Sequence, residues 1–153
     1  VLGPMDLSVE AEAFGANVRF SDNEVPVVTG QLVSDEDAVA ALAVPPPDAG
    51  RCAMTAAAIA KVKAAGVEKK VYGGMIGPFS LAGRLADVNE MMFLLMDEPE
   101  TVHSLLEKTA AFLVSYGAAL KAAGADGLFM AEPLADHFCN GPSIQRGLAK
   151  ISL

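Results

Sequence analysis

Apolar positions change their spacing several times along the chain, and each change predicts a new element. Residues 5–14, MDLSVEAEAF, place apolar side chains at Leu7, Val9, Ala11, Ala13 and Phe14. That spacing fits strand or helix, but the Glu-Ala-Glu-Ala run favours helix, with Gly15 as its cap. NVRF (17–20) and VPVVTG (25–30) predict short strands around the polar turn SDNE. Ser34 is expected to cap a helix in SDEDAVAAL, with Asp37 in the place of the capping-box acid. The prolines of VPPPD stop that helix and form a stiff connector. A second helix fits residues 50–65 and ends at Gly66, and KKVYGG (69–74) reads as the next strand. FSLAGRLA predicts a short helix. The clearest element follows: Asp97 is the expected cap, Pro99 and Glu100 sit in the first turn, and Val102, Leu105, Leu106, Leu113, Tyr116 and Leu120 recur at spacings of three and four. Gly124 stops it, and a strand is expected over 126–131. Strands alternate with helices and are apolar throughout, which predicts an α/β chain with parallel strands under covering helices.

Composition narrows the function classes. The chain has 153 residues, 52% hydrophobic and 20% charged, which suits one domain with a core and excludes a disordered chain. A formal net charge of −8, with no basic run, argues against a nucleic-acid partner. The longest charge-poor stretch, Thr109–Leu120, is too short to span a bilayer, and no basic-then-apolar leader is visible, so no membrane association is expected. Two cysteines, Cys52 and Cys139, make no disulfide framework, and a cytoplasmic location is the expectation. Tryptophan is absent and alanine abundant, which favours close-packed helices; there is no internal repeat.

In parallel α/β folds, ligands bind beyond the carboxyl ends of the strands. Two predicted strands end in unusual residues. The first, in VYGGMIGPFSLAGRL (71–85), runs into Gly77, Pro78, Phe79 and Ser80. Glycine lets a ligand approach the backbone, and the N–H groups that open the helix suit an anion or carbonyl oxygen. A tight turn with Phe79 stapled into the core explains the same residues. No lysine follows, and the G-x-G-x-x-G spacing is missing, so this is not a nucleotide loop. The second strand ends in Met130-Ala131-Glu132-Pro133. A buried glutamate is rare without a partner, so Glu132 is either a catalytic carboxylate or an exposed loop residue. Glu10 and Glu12 lie two apart on a helix and face different directions, so at most one reaches a site. Asp6 is either a site carboxylate or a helix cap. His137 and Cys139 are metal-ligand types, but two ligands do not make a zinc site, and Cys52 or His103 would have to join them. An ordinary polar loop explains them as well, and no metal ligand is assigned. There is no serine nucleophile elbow and no basic aromatic platform.

Four segments in order, LSVEAEAFGANV, GPFSLAGRL, DEPETVHSLLEK and AGADGLFMAEPLA, together resemble the uroporphyrinogen decarboxylase superfamily. The nearer likeness is to its methylcobamide:coenzyme M methyltransferase branch. The resemblance implies part of a (β/α)8 TIM-type barrel over residues 1–135, with the GPFS turn and the Glu-Pro strand end at its catalytic face. In that branch a zinc ion binds a thiolate, which attacks the methyl group on a corrinoid cobalt. Zinc and a methylcobamide are therefore the cofactors implied for a full-length enzyme, and a corrinoid protein or a small-molecule thiol its partner. On that reading Glu132 and Asp6 are the catalytic candidates, and Glu10, Gly77, Pro78, Phe79, Ser80 and Met130 contact substrate. Decarboxylation of a porphyrinogen is the alternative, since Asp6 falls where the decarboxylases hold pyrrole nitrogens with an aspartate. A third reading is an inert binding or assembly module.

The departures are equally plain. A full barrel takes about 250 residues. His137-x-Cys139 arrives directly after the Glu-Pro strand, ahead of the place where the branch carries its zinc motif, so zinc ligands are not carried across. Residues 136–153 stop resembling the family and form a divergent tail. Part of a barrel leaves open strand edges and apolar surface. A homo-oligomer, or a partner chain that completes the barrel, is therefore expected.

Overall fold

A computed structural model describes residues 1–134, in the element order α1 (Val9–Ala13), β1 (Asn17–Arg19), β2 (Val27–Thr29), α2 (Glu36–Ala41), α3 (Cys52–Ala64), β3 (Tyr72–Ile76), α4 (Pro78–Ala86), α5 (Val88–Asp97), α6 (Pro99–Ala122) and β4 (Gly127–Ala131). β3 and β4 pair in parallel, from Tyr72 opposite Gly127 to Ile76 opposite Ala131. On the other side of β3, Leu2 forms a parallel bridge to Tyr72, with Tyr72 N–H donating to Val1 O at 2.8 Å and Gly3 N–H to Tyr72 O at 2.7 Å. Three segments therefore run side by side in one direction. β1 and β2 form a separate antiparallel hairpin between the first and second of them.

Helix α6 is the spine of the core. Val102, Leu105, Leu113, Tyr116 and Leu120 are buried on the stripe that its spacing predicts, while Leu106 is only partly covered. The same stripe includes Phe112, whose ring meets Phe14 edge-on at 5.2 Å and stacks on Tyr116 at 5.8 Å. Two polar side chains of α6 fix its neighbours. Thr109 Oγ1 donates to Pro78 O at 3.2 Å and so holds the start of α4. Lys108 Nζ donates to Val39 O, Ala40 O and Leu42 O at 2.7–2.8 Å, tying the carbonyl end of α2 to α6.

Several local expectations need correction. The cap of α2 is Asp35, not Ser34: Asp35 Oδ1 accepts from Ala38 N–H at 2.8 Å, and Ser34 Oγ donates to Asp35 Oδ2 at 2.8 Å. A carboxylate is the stronger acceptor at the positive helix end. Asp97 does not cap α6; it is the last residue of α5, and Glu98 takes the cap position with Pro99 behind it. α5 itself was not expected. Asp87 separates it from α4 by adopting φ +66°, and its Oδ1 accepts from Asn89 N–H at 2.9 Å. Positive φ is a conformation that few side chains adopt, so the chain turns sharply at this residue. The strand read over 69–74 sits at Tyr72–Ile76 and is buried apart from Tyr72. No helix among the described residues is long and apolar enough to cross a membrane.

Candidate active site

The carboxyl ends of the three parallel segments bring together Met5 and Asp6, Gly77 and Pro78, and Ala131 to Pro133. An open depression of about 480 Å³ lies there, lined by Met5, Leu7, Ala131, Glu132 and Pro133.

The two sequence features with most chemical interest meet each other. Glu132 Oε1 accepts from Ser80 N–H at 2.6 Å, and its Oε2 from Phe79 N–H at 3.1 Å. The anion position at the start of α4 is thus filled by the chain's own carboxylate. Gly77 makes this possible, because a Cβ there would collide with that carboxylate. Ser80 Oγ accepts from Leu134 N–H at 3.1 Å, which closes the turn beyond β4. Gly77, Pro78, Phe79 and Ser80 are all buried, and Phe79 packs in the core. Burial pushes the Glu132 carboxyl above its usual range, although the bonds to Ser80 and Phe79 pull the other way. Met130 is half exposed on β4.

Asp6 is also fully engaged. Its Oδ1 accepts from Ser8 N–H at 2.9 Å and from Ser8 Oγ at 2.7 Å, and its Oδ2 pairs with Arg51. Arg51 spends its other nitrogens on Glu12 and on Ser8 Oγ, at 2.7 Å for the latter, and lies 4.9 Å over the Phe20 ring. Burial alone would raise the Asp6 carboxyl, but Ser8 and Arg51 outweigh it and hold it below its usual range.

Glu10 is different. As the spacing requires, it faces away from Glu12, and it is only 2% exposed. Its Oε1 accepts from Ile76 N–H at 3.0 Å, at the carboxyl end of β3. Its Oε2 has no partner among the described residues, and neither has the buried Nε of Arg84 on α4. Burial raises the Glu10 carboxyl and lowers the Arg84 guanidinium; each charge partly offsets the shift of the other.

Cys52 lies behind α1 with its Sγ 3.9 Å from Val9 O. Burial, with the charge of Glu10, pushes its thiol up to about 12. It is therefore no ready thiolate ligand. The Tyr116 hydroxyl, buried nearby, is also raised, by burial first. His103 is exposed on α6. His137 and Cys139 lie outside the described residues, within which no three His, Cys, Asp or Glu side chains gather closely enough to hold a metal. Sequence reasoning missed both arginines. Arg51 stands 45 residues from Asp6, and Arg84 looks from its surroundings like the polar face of an amphipathic helix. Only the three-dimensional pairing reveals them.

A family model described as uroporphyrinogen decarboxylase (URO-D) matches residues 1–139. The methylated-thiol–coenzyme M methyltransferase of Methanosarcina mazei is 30% identical over 141 residues, covering 85% of this chain and 35% of that protein. The methylcobamide:CoM methyltransferase MtbA of Methanosarcina acetivorans is 30% identical over 136 residues, covering 88% of this chain and 40% of that protein. A solved methyltransferase from Methanosarcina mazei superposes with a TM-score of 0.84 at 26% identity, over 99% of this chain and 47% of that one. The chain thus spans less than half the length of these relatives.

Proposed function

The chain belongs to the uroporphyrinogen decarboxylase (URO-D) family, and from that premise we propose that it forms part of a (β/α)8 barrel enzyme that moves a methyl group from a methylated corrinoid protein to a thiol. Three parallel segments with helices between them suit the opening portion of such a barrel. The outer edge of β4 has no partner strand among the described residues, which suits continuation of the barrel by further strands, from a second copy or from a partner chain.

The observation that carries the choice of chemistry is the state of Asp6. Decarboxylation of a porphyrinogen asks an aspartate here to take pyrrole N–H groups. Asp6 already accepts from Ser8 twice and from Arg51, so a pyrrole would compete with a guanidinium for its oxygens. The names of the matched relatives point the same way.

Within this reading Asp6 and Glu132 shape the site through their protein partners. Asp6 anchors the first segment to α3, and Glu132 fixes the wall formed by Gly77 to Ser80. Met5 and Leu7 supply apolar surface at the mouth. Glu10 has a buried carboxylate oxygen with no partner among the described residues. The corrinoid supplies the activated methyl group. Zinc has no site among the described residues, and none of these roles depends on it.

The test is to give the purified protein methylcobalamin and a thiol and follow loss of the methyl–cobalt absorbance, beside a second assay for carbon dioxide release from uroporphyrinogen. Thiol-dependent demethylation without decarboxylation is the expected result. Decarboxylation without methyl transfer overturns the proposal, and inactivity in both assays leaves the inert binding module as the reading.

A further inference from the structure

The β1–β2 hairpin stands apart from the core. None of residues 15–32 is buried, whereas Phe14 before them and Val33 after them belong to the core. Among the described residues, the hydrogen bonds of the hairpin stay inside it: the ladder from Asn17–Thr29 to Arg19–Val27, Thr29 Oγ1 to Asn17 O at 3.4 Å, and Asn23 N–H to Ser21 Oγ at 3.5 Å. The body takes hold again at Leu32 and Val33, whose N–H groups both donate to Leu85 O, at 2.8 and 3.1 Å. At the root of each strand stands a glycine at positive φ, Gly15 at +99° and Gly30 at +76°, and a Cβ at either would meet nothing within 4 Å. Asn17 pairs with Thr29, so the two glycines lie at nearly the same level. Paired glycines with room around them let both strands turn together.

Val18 and Val28 are ladder partners and share a face, and Phe20 continues that face two residues on. Both valines are only partly covered, and Phe20 is 60% exposed. The apolar underside of the hairpin is thus incompletely packed, although a two-stranded hairpin depends on such packing for its stability. One contact holds the tip: the Arg51 guanidinium lies 4.9 Å over the Phe20 ring. Arg51 in turn pairs with Asp6, which sits between Met5 and Leu7, and both of these line the depression. The tip therefore rests one side chain away from the wall of the candidate site. Five residues of extended chain, from Gly15 to Phe20, reach about 16 Å. We propose that the β1–β2 hairpin is a lid that turns on Gly15 and Gly30, parks with Phe20 against Arg51, and closes its Val18, Phe20 and Val28 face over the depression. An apolar face closing there excludes water from the site. The lid does not depend on which reaction the site performs.

The test is nuclear magnetic resonance on the whole chain, since lid motions fall in the microsecond-to-millisecond range that relaxation dispersion reads. Amides of residues 17–19 and 27–29 should show dispersion with one shared rate, and those of α3 and α6 should show none. Phe20→Ala removes the parking contact and should raise the population of the second state about two- to fivefold, as the worth of an exposed cation–π contact implies. A nitroxide on Pro133→Cys, at the edge of the depression, should broaden the Val25 and Val27 amides, and more so when Phe20→Ala is added; Cys139→Ser keeps the label at one place, since Cys52 is buried. Flat dispersion over 17–29 overturns the proposal. So does exchange confined to the 21–24 turn, which is fraying and not a rigid swing, or broadening that Phe20→Ala does not increase. Should the labelled variant fail to fold, the dispersion profiles of wild type and Phe20→Ala decide it alone.

Discussion

Arg51 and Arg84 each face carboxylates at the same end of the parallel strands, and they are used in opposite ways. Arg51 turns each of its three nitrogens to a partner, Nε to Glu12, Nη1 to Asp6 and Nη2 to Ser8. Arg84 keeps a buried Nε without a partner among the described residues, and Glu10 Oε2 is in the same condition. Asp6 in consequence is held below its ordinary range, whereas Glu10, four residues on, is pushed above it by burial. Partnering, and not depth alone, decides which carboxylate keeps its charge easily. The first pair is a finished structural joint, and the second has capacity left over.

Breaking the finished joint should have the largest effect. Arg51→Met leaves Asp6 and Glu12 without their cation, and the expected loss is about 3 kcal/mol, at the low end for broken buried pairs because these side chains keep some exposure. Asp6 is lowered in the fold, so this stabilisation is present above its unfolded pKa and disappears as pH falls through the folded value. Urea titrations should therefore show the gap between wild type and variant narrowing in acid. A gap that widens in acid would contradict the assignment.

Next in size is the Glu132 joint. Glu132→Ala should cost about 1–2 kcal/mol, the usual worth of a helix cap. Gly77→Ala should cost about as much, because the new methyl group expels the carboxylate from its two N–H donors. The double variant should lose little more than either single one, since both remove the same contact. Full additivity in a double-mutant cycle would show that Gly77 and Glu132 act separately.

Arg84→Met should cost less than Arg51→Met, about 1 kcal/mol, since no ion pair is lost. Equal costs for the two arginines would erase the contrast drawn between them. Glu10→Gln should have the smallest effect and the most telling sign. The folded Glu10 carboxyl is raised, so wild-type stability falls as pH climbs from the unfolded pKa through the folded value. The glutamine variant lacks that slope. It should match or exceed wild type at pH 8, and the difference should shrink near pH 4; a variant less stable at every pH would sink the idea.

Much of the frame was legible in the sequence because it is written locally. The stripe of α6, the stops at Gly66 and Gly124, and the strand leading into Glu132 all follow from spacing and backbone chemistry within a few residues. Capping was less legible: Ser34 and Asp35 are both good caps, and only the realised geometry selects Asp35. α5 was missed because its boundary depends on one aspartate at positive φ, which no spacing announces. Of the candidate site, the residue types were visible, but their state was not. The sequence leaves Glu132 open between a catalytic carboxylate and an exposed loop residue, and the GPFS turn between a ligand cradle and a tight turn; in the fold the two face each other across more than fifty residues. The partner of Asp6 likewise comes from α3, beyond the reach of any local pattern.

The bond from Glu132 to the start of α4 has a consequence for how the chain comes together. The first turn of α4 is synthesised long before the carboxylate that completes it, since Glu132 comes 52 positions after Ser80. Until β4 docks beside β3, the Phe79 and Ser80 amides have no such acceptor and the turn is free to fray. Amide exchange at these two positions therefore reports the arrival of β4 and not the formation of α4 itself. The end of one strand acts as the lock on the helix that follows its neighbour, so the two βα units mature together.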